Sequence, residues 1–314
     1  MNFISYDLGT GGIKASLYNE KMETLAKSFI EYPTYYPQSY MHEQRPLDWW
    51  EGFKSSTSVL LKESGVSPDT IACLALSGHS LVTVPIGKDG NILLNQVPIW
   101  SDTRATQEAE DFFGAINKDE WYLTTGNGFP APCYSIFKLM WLKKHEPDIF
   151  SRIYKVLGSK DYINYMLTGE FAIDPSYASG TGAYSLMGKH MEQKFLDAAG
   201  ISRNIFPEIV PSHHILGCLL YTSLHNHCTG RAAFIGSPTR FPVFPYLTYS
   251  SSIISGNYSR FSLFRPKAQE PSQDHMWPNE PGRLSCSCLQ PPYSSELLRH
   301  PAYRPLQRSP GSPS

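Results

Sequence analysis

A short turn near the start of the chain carries residues that could bind phosphate. It reads Asp7-Leu8-Gly9-Thr10-Gly11-Gly12-Ile13-Lys14 and lies between an apolar segment and one in which apolar and polar residues alternate. This pattern predicts two strands joined in a hairpin. The three glycines let the backbone approach a ligand closely, and successive N–H groups in such a turn form a concave anion site. Asp7, at the end of the first strand, could hold Mg²⁺ directly or through water. An ordinary glycine-rich hairpin is the alternative that this turn alone leaves open.

Two other phosphate-binding motifs fit this turn poorly. The Gly9-Thr10-Gly11 segment lacks the third glycine of the dinucleotide-binding fingerprint, and an alternating strand follows where that motif needs a helix. No glycine loop in the chain is followed by the Gly-Lys-Ser/Thr of a Walker A loop.

A second group of residues has the chemistry of a sugar site. Asp102 and Arg104 lie two residues apart, where a short strand is predicted to end and a helix to begin. A carboxylate accepts hydrogen bonds from hydroxyls, and a guanidinium donates hydrogen bonds in a rigid fork. Trp100 offers an apolar surface to the C–H face of a sugar. The alternative is an ion pair at a helix start beside a core tryptophan.

Alternating strands and helices must position these groups, which predicts an α/β fold over residues 1–217. Beside the hairpin, strands are predicted at 24–32, 71–76, 81–86 and 97–100. Helices are predicted from Pro46 to the residue before Gly65, at 105–116, from a capping Ser135 to about Pro147, and at 160–167 and 190–199.

Composition excludes several classes of protein. The 314 residues carry a formal net charge of −1, which gives no reason to expect a nucleic acid or an anionic membrane as partner. No apolar run approaches the ~20 residues of a membrane span, and no signal peptide is visible before the first strand. Residues 1–217 contain only Cys73 and Cys133, which suits a reducing cytoplasm and provides no zinc motif.

The chain changes character near residue 218. Residues 218–314 hold 13 of the 25 prolines and four of the six cysteines, and their apolar residues show no sustained period. Cys218-Leu219-Leu220-Tyr221-Thr222-Ser223 resembles the translation of a sequencing-library adapter. We therefore expect two regions: a folded domain at 1–217, and a Pro/Ser-rich tail at 218–314 that is either foreign or frameshifted sequence or a genuine disordered segment.

Six segments in order resemble the FGGY carbohydrate kinases, and within them the xylulokinase branch. They are the phosphate turn, His42-Glu43-Gln44-Arg45-Pro46 with Trp49-Trp50, Trp100-Ser101-Asp102-Thr103-Arg104, Thr125-Gly126-Asn127 with Ser135-x-x-Lys138-Leu139-x-Trp141-Leu142, Lys160-Asp161-Tyr162 with Leu167-Thr168-Gly169, and Ala178-Ser179-Gly180-Thr181. Each segment is weak alone, but their order is specific. The resemblance covers about residues 1–217 and none of the tail.

The resemblance implies an actin-like, ribonuclease-H-like fold of two domains, of which residues 1–217 would form most of the first. ATP and a sugar would meet in the cleft between the domains, with Mg²⁺ as cofactor. The residues implied for phosphate or nucleotide are Asp7, Gly9, Thr10, Gly11, Gly12 and Lys14, with Asp7 also at the metal. Those implied for the sugar are Gly78, His79, Ser80, Trp100, Asp102 and Arg104. The resemblance is also compatible with a homodimer of the intact protein.

Two departures from the family pattern bear on function. The similar enzymes have Gln-Met-His after the central strand, whereas here His79 falls at the Gln position and Leu81 at the position of the sugar-contacting His. The family's general base, an Asp in a Gly-Gly-x-x-Asp-Asn motif, has no counterpart in the sequence. Because phosphoryl transfer depends on positioning the acceptor and its base, we expect the chain as it stands to be inactive.

Three functions remain open from the sequence. The first is an ATP-dependent kinase of a ketopentose, with D-xylulose favoured and another ketose or a polyol as variants. The second is a non-catalytic sugar- or phosphate-binding domain, which would explain a sugar motif without a base. The third is an actin- or chaperone-type ATPase, which leaves the Trp-x-Asp-x-Arg segment without a role. Trp49, Trp50 and Trp141 are interpreted as core residues, whereas Lys138 is either a solvated lysine or a ligand contact.

Overall fold

The computed structural model describes residues 1–128 and 130–218, together with the backbone of 243–244. The strands in this part are β1 (Asn2–Gly9), β2 (Gly12–Asn19), β3 (Thr24–Glu31), β4 (Tyr35–Gln38), β5 (Met41–Gln44), β6 (Ile71–Gly78), β7 (Val84–Gly87), β8 (Val97–Pro98), β9 (Ile153–Leu157), β10 (Ala172–Ile173), β11 (Tyr184–Ser185), β12 (His190–Met191), β13 (Glu208–Ile209) and β14 (Val243–Phe244). The helices are α1 (Pro46–Ser64), α2 (Thr106–Ala115), α3 (Lys118–Thr125), α4 (Ser135–His145), α5 (Pro147–Ser151), α6 (Ser159–Thr168), α7 (Pro175–Ser179) and α8 (Gln193–Ala199). Short 3₁₀ helices span Pro68–Thr70, Ala131–Cys133 and Arg203–Ile205.

The predicted hairpin lies at the centre of the largest sheet. Strand order is β14-β6-β1-β2-β3, with β1 antiparallel to β2 and parallel to β6. The apolar run at 71–76 therefore forms an inner strand, as predicted. In β1, Ile4, Tyr6 and Leu8 are buried, whereas Asp7 is exposed. This alternation places the apolar residues against the core and Asp7 on the other face of the sheet.

Helix α1 covers the apolar face of this sheet. Pro46 stands at its first turn, and Gly65 ends it in the left-handed conformation with φ 66°. Trp49, Trp50 and Phe53 are buried on one side of the helix. Both ends therefore agree with the prediction, because a proline has no N–H to satisfy at the first turn and a glycine adopts positive φ at little cost.

A three-stranded sheet of order β4-β5-β8 leads into the second candidate site. Strand β8 pairs antiparallel with β5 through Glu43↔Pro98 and Gln44↔Val97. The chain leaves β8 through Ile99, whose amide donates to the His42 carbonyl, so this pairing places Trp100 beside the start of β5. The predicted strand at 97–100 is thus shorter than expected.

A buried ion cluster joins α6 to the start of α7. The Lys160 ammonium lies 2.5 Å from an Asp161 oxygen and 2.9 Å from an Asp174 oxygen, and all three side chains are almost fully buried. Asp174 also accepts a hydrogen bond from the Tyr177 amide and caps α7. Buried charges require such partners, so the cluster fixes α6 against the start of α7.

Several predicted element bounds were wrong. The predicted strand at 81–86 begins only at Val84, because Leu81 has φ 63° and interrupts extended backbone. Pro147 begins the short helix α5 as well as following α4, since proline suits a first helical position. Ser135 is the first residue of α4 rather than its cap, and Tyr134 takes the cap position. The predicted helix at 190–199 begins at Gln193, after a short strand.

The predicted change of character at residue 218 falls largely outside the described residues. The exception is β14, which pairs parallel with β6 through Val243↔Leu74 and Phe244↔Ala75. Residues 219–242 and 245–314 are not described, so the boundary near Gly217 stays a prediction. Within the described part, no helix has both the length and the apolar character needed to cross a membrane.

Candidate phosphate and sugar site

The glycine turn closes the hairpin tightly and keeps one side open. Gly9 pairs with Gly12, which leaves Thr10 and Gly11 at the tip. A Cβ on Gly12, at φ 156°, would lie 2.5 Å from the Ile30 carbonyl oxygen, so a side chain at this position would collide with the neighbouring strand. A Cβ on Gly11 would meet nothing within 4 Å. The tip is therefore open to a ligand on the side where Gly11 is exposed.

Asp7 and Lys14 are opposite each other at the base of this turn. The two are register partners in the antiparallel pair, so their side chains share one face of the sheet, and both are exposed. Ser77 of β6 pairs with Asp7 on its other side. An exposed carboxylate beside a turn of backbone N–H groups fits a phosphate-bound Mg²⁺, which commonly takes only one or two protein carboxylates. The structure thus groups the residues predicted for phosphate and metal.

Gln44 supports the turn, a role that the sequence did not reveal. Its side chain is fully buried, and its amide nitrogen donates to the Thr10 carbonyl across 2.6 Å and to the Thr34 hydroxyl across 2.8 Å. Its amide oxygen accepts from the Trp49 indole across 3.0 Å. Gln44 belongs to a segment that carried the family resemblance, but sequence alone assigned it no partner. The only signal was a polar residue next to a helix start rich in tryptophan.

Trp100 joins the second candidate site to the phosphate turn. Its indole Nε1 donates to Thr10 Oγ1 across 2.8 Å, and the side chain is 46% exposed. A hydroxyl that accepts one hydrogen bond can still donate its own proton, so Thr10 keeps a donor for a phosphate oxygen. The exposed indole is available to a sugar. Trp100 is therefore not the core tryptophan of the alternative interpretation.

Asp102 and Arg104 form the ion pair that the sequence offered as an alternative to sugar binding. Asp102 is completely buried, and its oxygens accept from the His42 amide and from Nε and Nη2 of Arg104 at 2.7 to 2.9 Å. Arg104 Nη2 also donates to Glu43 across 2.5 Å. In this arrangement Asp102 acts on the site by holding Arg104, which differs from the prediction that it accepts sugar hydroxyls itself.

The Arg104 guanidinium keeps donors for a ligand. Burial by itself would lower its pKa, but the hydrogen bonds and charges of Asp102 and Glu43 raise the pKa above its usual value. Its Nη1 group has no hydrogen-bond partner among the described residues. The guanidinium also lies over the Trp141 ring, 5.0 Å from the ring centroid. Arg104 is thus held as a permanent cation whose Nη1 group keeps its N–H donors for a ligand.

The burial of Trp141 and Lys138 on α4 differs from what the sequence predicted. Trp141 is only partly buried and packs against the edge of the core, whereas the interpretation of Trp49 and Trp50 as core residues is confirmed. Lys138 is not a solvated lysine, since it is 2% exposed and its Nζ donates to the Leu81 and Ile99 carbonyls. Both residues line a cavity of about 240 Å³ together with Arg104. Sequence spacing placed them on the same helix but could not show how deeply each lies.

His79 connects the end of β6 to the phosphate turn. Its backbone amide and its ring Nδ1 both contact the Leu8 carbonyl, at 2.9 and 3.0 Å. Its Nε2 is buried and has no hydrogen-bond partner among the described residues. Burial lowers the pKa of His79 to about 4, and the Lys138 charge adds to this effect while the Leu8 hydrogen bond opposes it. His79 is therefore neutral at physiological pH.

The residues on either side of His79 differ in exposure. A Cβ on Gly78 would lie 2.5 Å from Ser159 Oγ and 3.1 Å from the Lys160 amide nitrogen, so a side chain here would displace Ser159 where β6 approaches α6. Ser80 is exposed and lies next to Leu81, the residue with positive φ. Of the three predicted sugar contacts in this segment, only Ser80 presents an exposed side chain.

A family model matches most of the chain. The model of the FGGY family of carbohydrate kinases, N-terminal domain, matches residues 2–231. The chain belongs to the FGGY family of carbohydrate kinases. The match continues beyond Gly217, where composition predicted the boundary.

Relatives in the FGGY family include several xylulose kinases. A xylulose kinase from Staphylococcus xylosus is 33% identical over 220 residues, which cover 69% of this chain and 44% of that protein. The chain therefore matches less than half the length of this relative. Relatives named gluconokinase, from Bacillus subtilis, and glycerol kinase, from Thermococcus gammatolerans, match as well, at 26% and 25% identity. Membership of the FGGY family is thus compatible with more than one substrate.

Solved structures of FGGY kinases share the fold. A xylulose kinase from Rhodospirillum rubrum superposes with a TM-score of 0.70 at 26% identity, over 78% of this chain and 48% of that chain. A Brucella ovis structure titled as a xyloylose kinase gives 0.65 at 28% identity, over 71% and 46%. These are sugar kinases of the actin-like fold, so the predicted fold class is confirmed. FGGY kinases use ATP, which supports the predicted nucleotide.

Proposed function

We propose that this chain provides the phosphate-binding and sugar-binding domain of an ATP-dependent kinase that phosphorylates a ketopentose, with D-xylulose as the substrate. The observation that carries the proposal is the hydrogen bond from Trp100 to Thr10, across 2.8 Å. A kinase must bring the phosphate donor and the acceptor hydroxyl within reach of each other. This bond supports such a function because it joins a candidate sugar residue directly to the candidate phosphate turn.

The residues divide the work by their chemistry. ATP with Mg²⁺ supplies the transferable phosphoryl group and neutralises its charge. The backbone N–H groups from Gly9 to Gly12, the Thr10 hydroxyl and the Lys14 ammonium would bind phosphate oxygens. Asp7 would hold the Mg²⁺ ion. These roles fit the open side of the turn and the exposure of Asp7 and Lys14.

The sugar would lie beside the phosphate turn, next to Trp100. Trp100 would stack on its C–H face, and the free Nη1 group of Arg104 would donate to its hydroxyls. Ser80 would add a hydroxyl donor and acceptor. Asp102 would keep the guanidinium in place. A general base for the acceptor hydroxyl would have to come from outside the present sequence, because no Gly-Gly-x-x-Asp-Asn motif occurs in it.

D-xylulose is favoured over the other substrates because of the xylulose kinase relatives. The relatives named gluconokinase and glycerol kinase keep D-gluconate and glycerol as competitors. Calorimetry on this chain with D-xylulose, D-gluconate and glycerol tests the sugar preference directly. We expect D-xylulose to bind with the lowest dissociation constant and Arg104→Lys to weaken that binding. Tighter binding of gluconate or glycerol would contradict the proposed substrate.

A second experiment separates a kinase from a non-catalytic binding domain. The source DNA is sequenced beyond the codon for Gly217, and the uninterrupted gene is expressed and assayed for ADP release with each sugar. We expect D-xylulose-dependent ADP release that is lost in Asp7→Asn. Sugar binding without any ADP release from that gene product would favour the binding-domain alternative instead.

A further inference from the structure

Lys138 contacts both segments that carry candidate sugar residues. Its Nζ donates to the Leu81 carbonyl across 2.8 Å and to the Ile99 carbonyl across 2.5 Å. Leu81 follows Ser80 in the chain, and Ile99 precedes Trp100. The two segments come from different parts of the sequence, and Lys138 on α4 bridges them.

The Ile99 carbonyl is shared by the Asp102 turn. It accepts from the Asp102 amide across 3.1 Å as well as from Lys138. The same residue donates its own amide to the His42 carbonyl, which fixes it to β5. A displacement of Ile99 would therefore move Trp100 and the turn that carries Asp102 together.

The Leu81 backbone needs an anchor. With φ 63°, it adopts a left-handed conformation that an L-residue with a side chain reaches only at a cost. Strained backbone persists where surrounding contacts hold it, and such positions are frequent at ligand sites. The Lys138 hydrogen bond to the Leu81 carbonyl is one such contact.

Burying a lysine costs more free energy than burying an apolar residue of similar volume. Burial lowers the pKa of Lys138 to about 7, although Asp102 and Cys133 oppose this change. A neutral amine still has two N–H bonds, which equals the number of carbonyls that Lys138 contacts. An apolar residue could fill the volume but would leave both buried carbonyls without this partner. The chemistry at this position is thus suited to joining two carbonyls.

We propose that Lys138 is a positioning residue that sets the separation of the Ser80–Leu81 and Ile99–Trp100 segments, and thereby the shape of the sugar site. This inference rests on the proposed function. Lys138 does not touch the sugar in this account. It acts through the backbone on either side of the site.

The test follows Trp100 in the full chain labelled with 5-fluorotryptophan, where Trp100→Phe assigns its ¹⁹F resonance. Lys138→Met removes both hydrogen bonds at similar volume. We expect its Trp100 resonance to shift or broaden in the folded protein, and D-xylulose binding to weaken about tenfold or more. Lys143→Met is the matched control, because Lys143 lies on the same helix and donates to the Gly200 carbonyl, outside the site. It should leave the Trp100 resonance unchanged.

A purely structural role for Lys138 predicts a different result. Lys138→Met would then lower the free energy of unfolding, while the folded fraction kept the wild-type Trp100 resonance and D-xylulose affinity. That result would overturn the inference.

If Lys138→Met does not fold, Lys138→Gln keeps an NH₂ group on a shorter side chain. It should also shift the resonance, and an unchanged spectrum would again overturn the inference. If the wild-type chain binds no D-xylulose, the proposed sugar specificity fails, while the ¹⁹F spectra still test Lys138.

Discussion

The Trp100 indole donates a hydrogen bond to the Thr10 hydroxyl across 2.8 Å, although the two residues are 90 positions apart. Thr10 lies at the tip of the glycine turn, and Trp100 follows the short strand β8. A residue with sugar-binding chemistry thus shares a hydrogen bond with a residue of phosphate-binding chemistry.

This pair should be energetically coupled. Trp100→Phe removes the indole donor, and Thr10→Val removes the hydroxyl at nearly the same size. In a double-mutant cycle on urea unfolding, we expect a coupling free energy of about 0.5–1.5 kcal/mol, as for a single hydrogen bond. Tyr122→Phe at an exposed site, combined with Thr10→Val, should show additive effects. A coupling indistinguishable from that control would mean that the bond contributes nothing.

Replacing Gln44 should destabilise the candidate phosphate turn. Gln44→Leu leaves the Thr10 carbonyl and the Trp49 indole without a buried partner. The free energy of unfolding should fall by about 1–3 kcal/mol, which is the cost of unsatisfied buried groups. Mg·ADP binding, followed by calorimetry, should weaken as well. Gln38→Leu, at an exposed position of β4, is the control and should change neither quantity measurably.

His79 should make the fold less stable in mild acid. Its pKa is lowered to about 4 in the folded chain, from 6.5, so the unfolded state binds the proton more readily between these values. The free energy of unfolding should therefore fall as pH drops from 6.5 to 4, by about 3 kcal/mol at most from this group at 1.36 kcal/mol per pKa unit. Urea unfolding at several pH values measures this slope. His79→Gln should flatten the slope, whereas His190→Gln at an exposed site should not, and equal slopes in all three proteins would contradict the assignment.

Removing Lys160 should be severe, because it lies between two buried carboxylates. Lys160→Met leaves Asp161 and Asp174 without their shared cation. Breaking a buried ion pair costs about 3–5 kcal/mol, so we expect a loss of that size in urea unfolding. Lys62→Met on the exposed side of α1 should stay within about 0.5 kcal/mol of wild type. A small loss for Lys160→Met would show that water or rearrangement compensates for the missing charge.

The chain as given should not turn over ATP in response to any sugar. Its sequence holds no Gly-Gly-x-x-Asp-Asn motif, and it covers 44% of the S. xylosus xylulose kinase. Without a positioned base and a complete nucleotide site, phosphoryl transfer loses its main source of acceleration. An ADP-release assay on a preparation free of host kinases checks this. Sugar-dependent turnover above a buffer blank would contradict it.

The sequence by itself determined the features that depend on contiguous residues. The glycine turn, its two strands, helix α1 with its proline start and glycine end, and the family resemblance could all be deduced from local patterns. Such patterns are informative because hairpins and helix ends are set by φ preferences and apolar spacing over a few positions. The geometry of the candidate phosphate turn was therefore largely predictable, and the predicted fold class was right.

Only the tertiary structure decided which polar groups satisfy each other across long sequence separations. The Asp102 carboxylate could equally have faced a sugar, and Lys138 could have faced solvent. Their burial commits Asp102 to Arg104 and Lys138 to two backbone carbonyls. A buried polar group must find a partner, but its identity depends on which elements the fold packs together. Spacing along one helix or loop does not contain that information, so only the pairing of β5 with β8 brings the candidate sugar residue Trp100 to the turn.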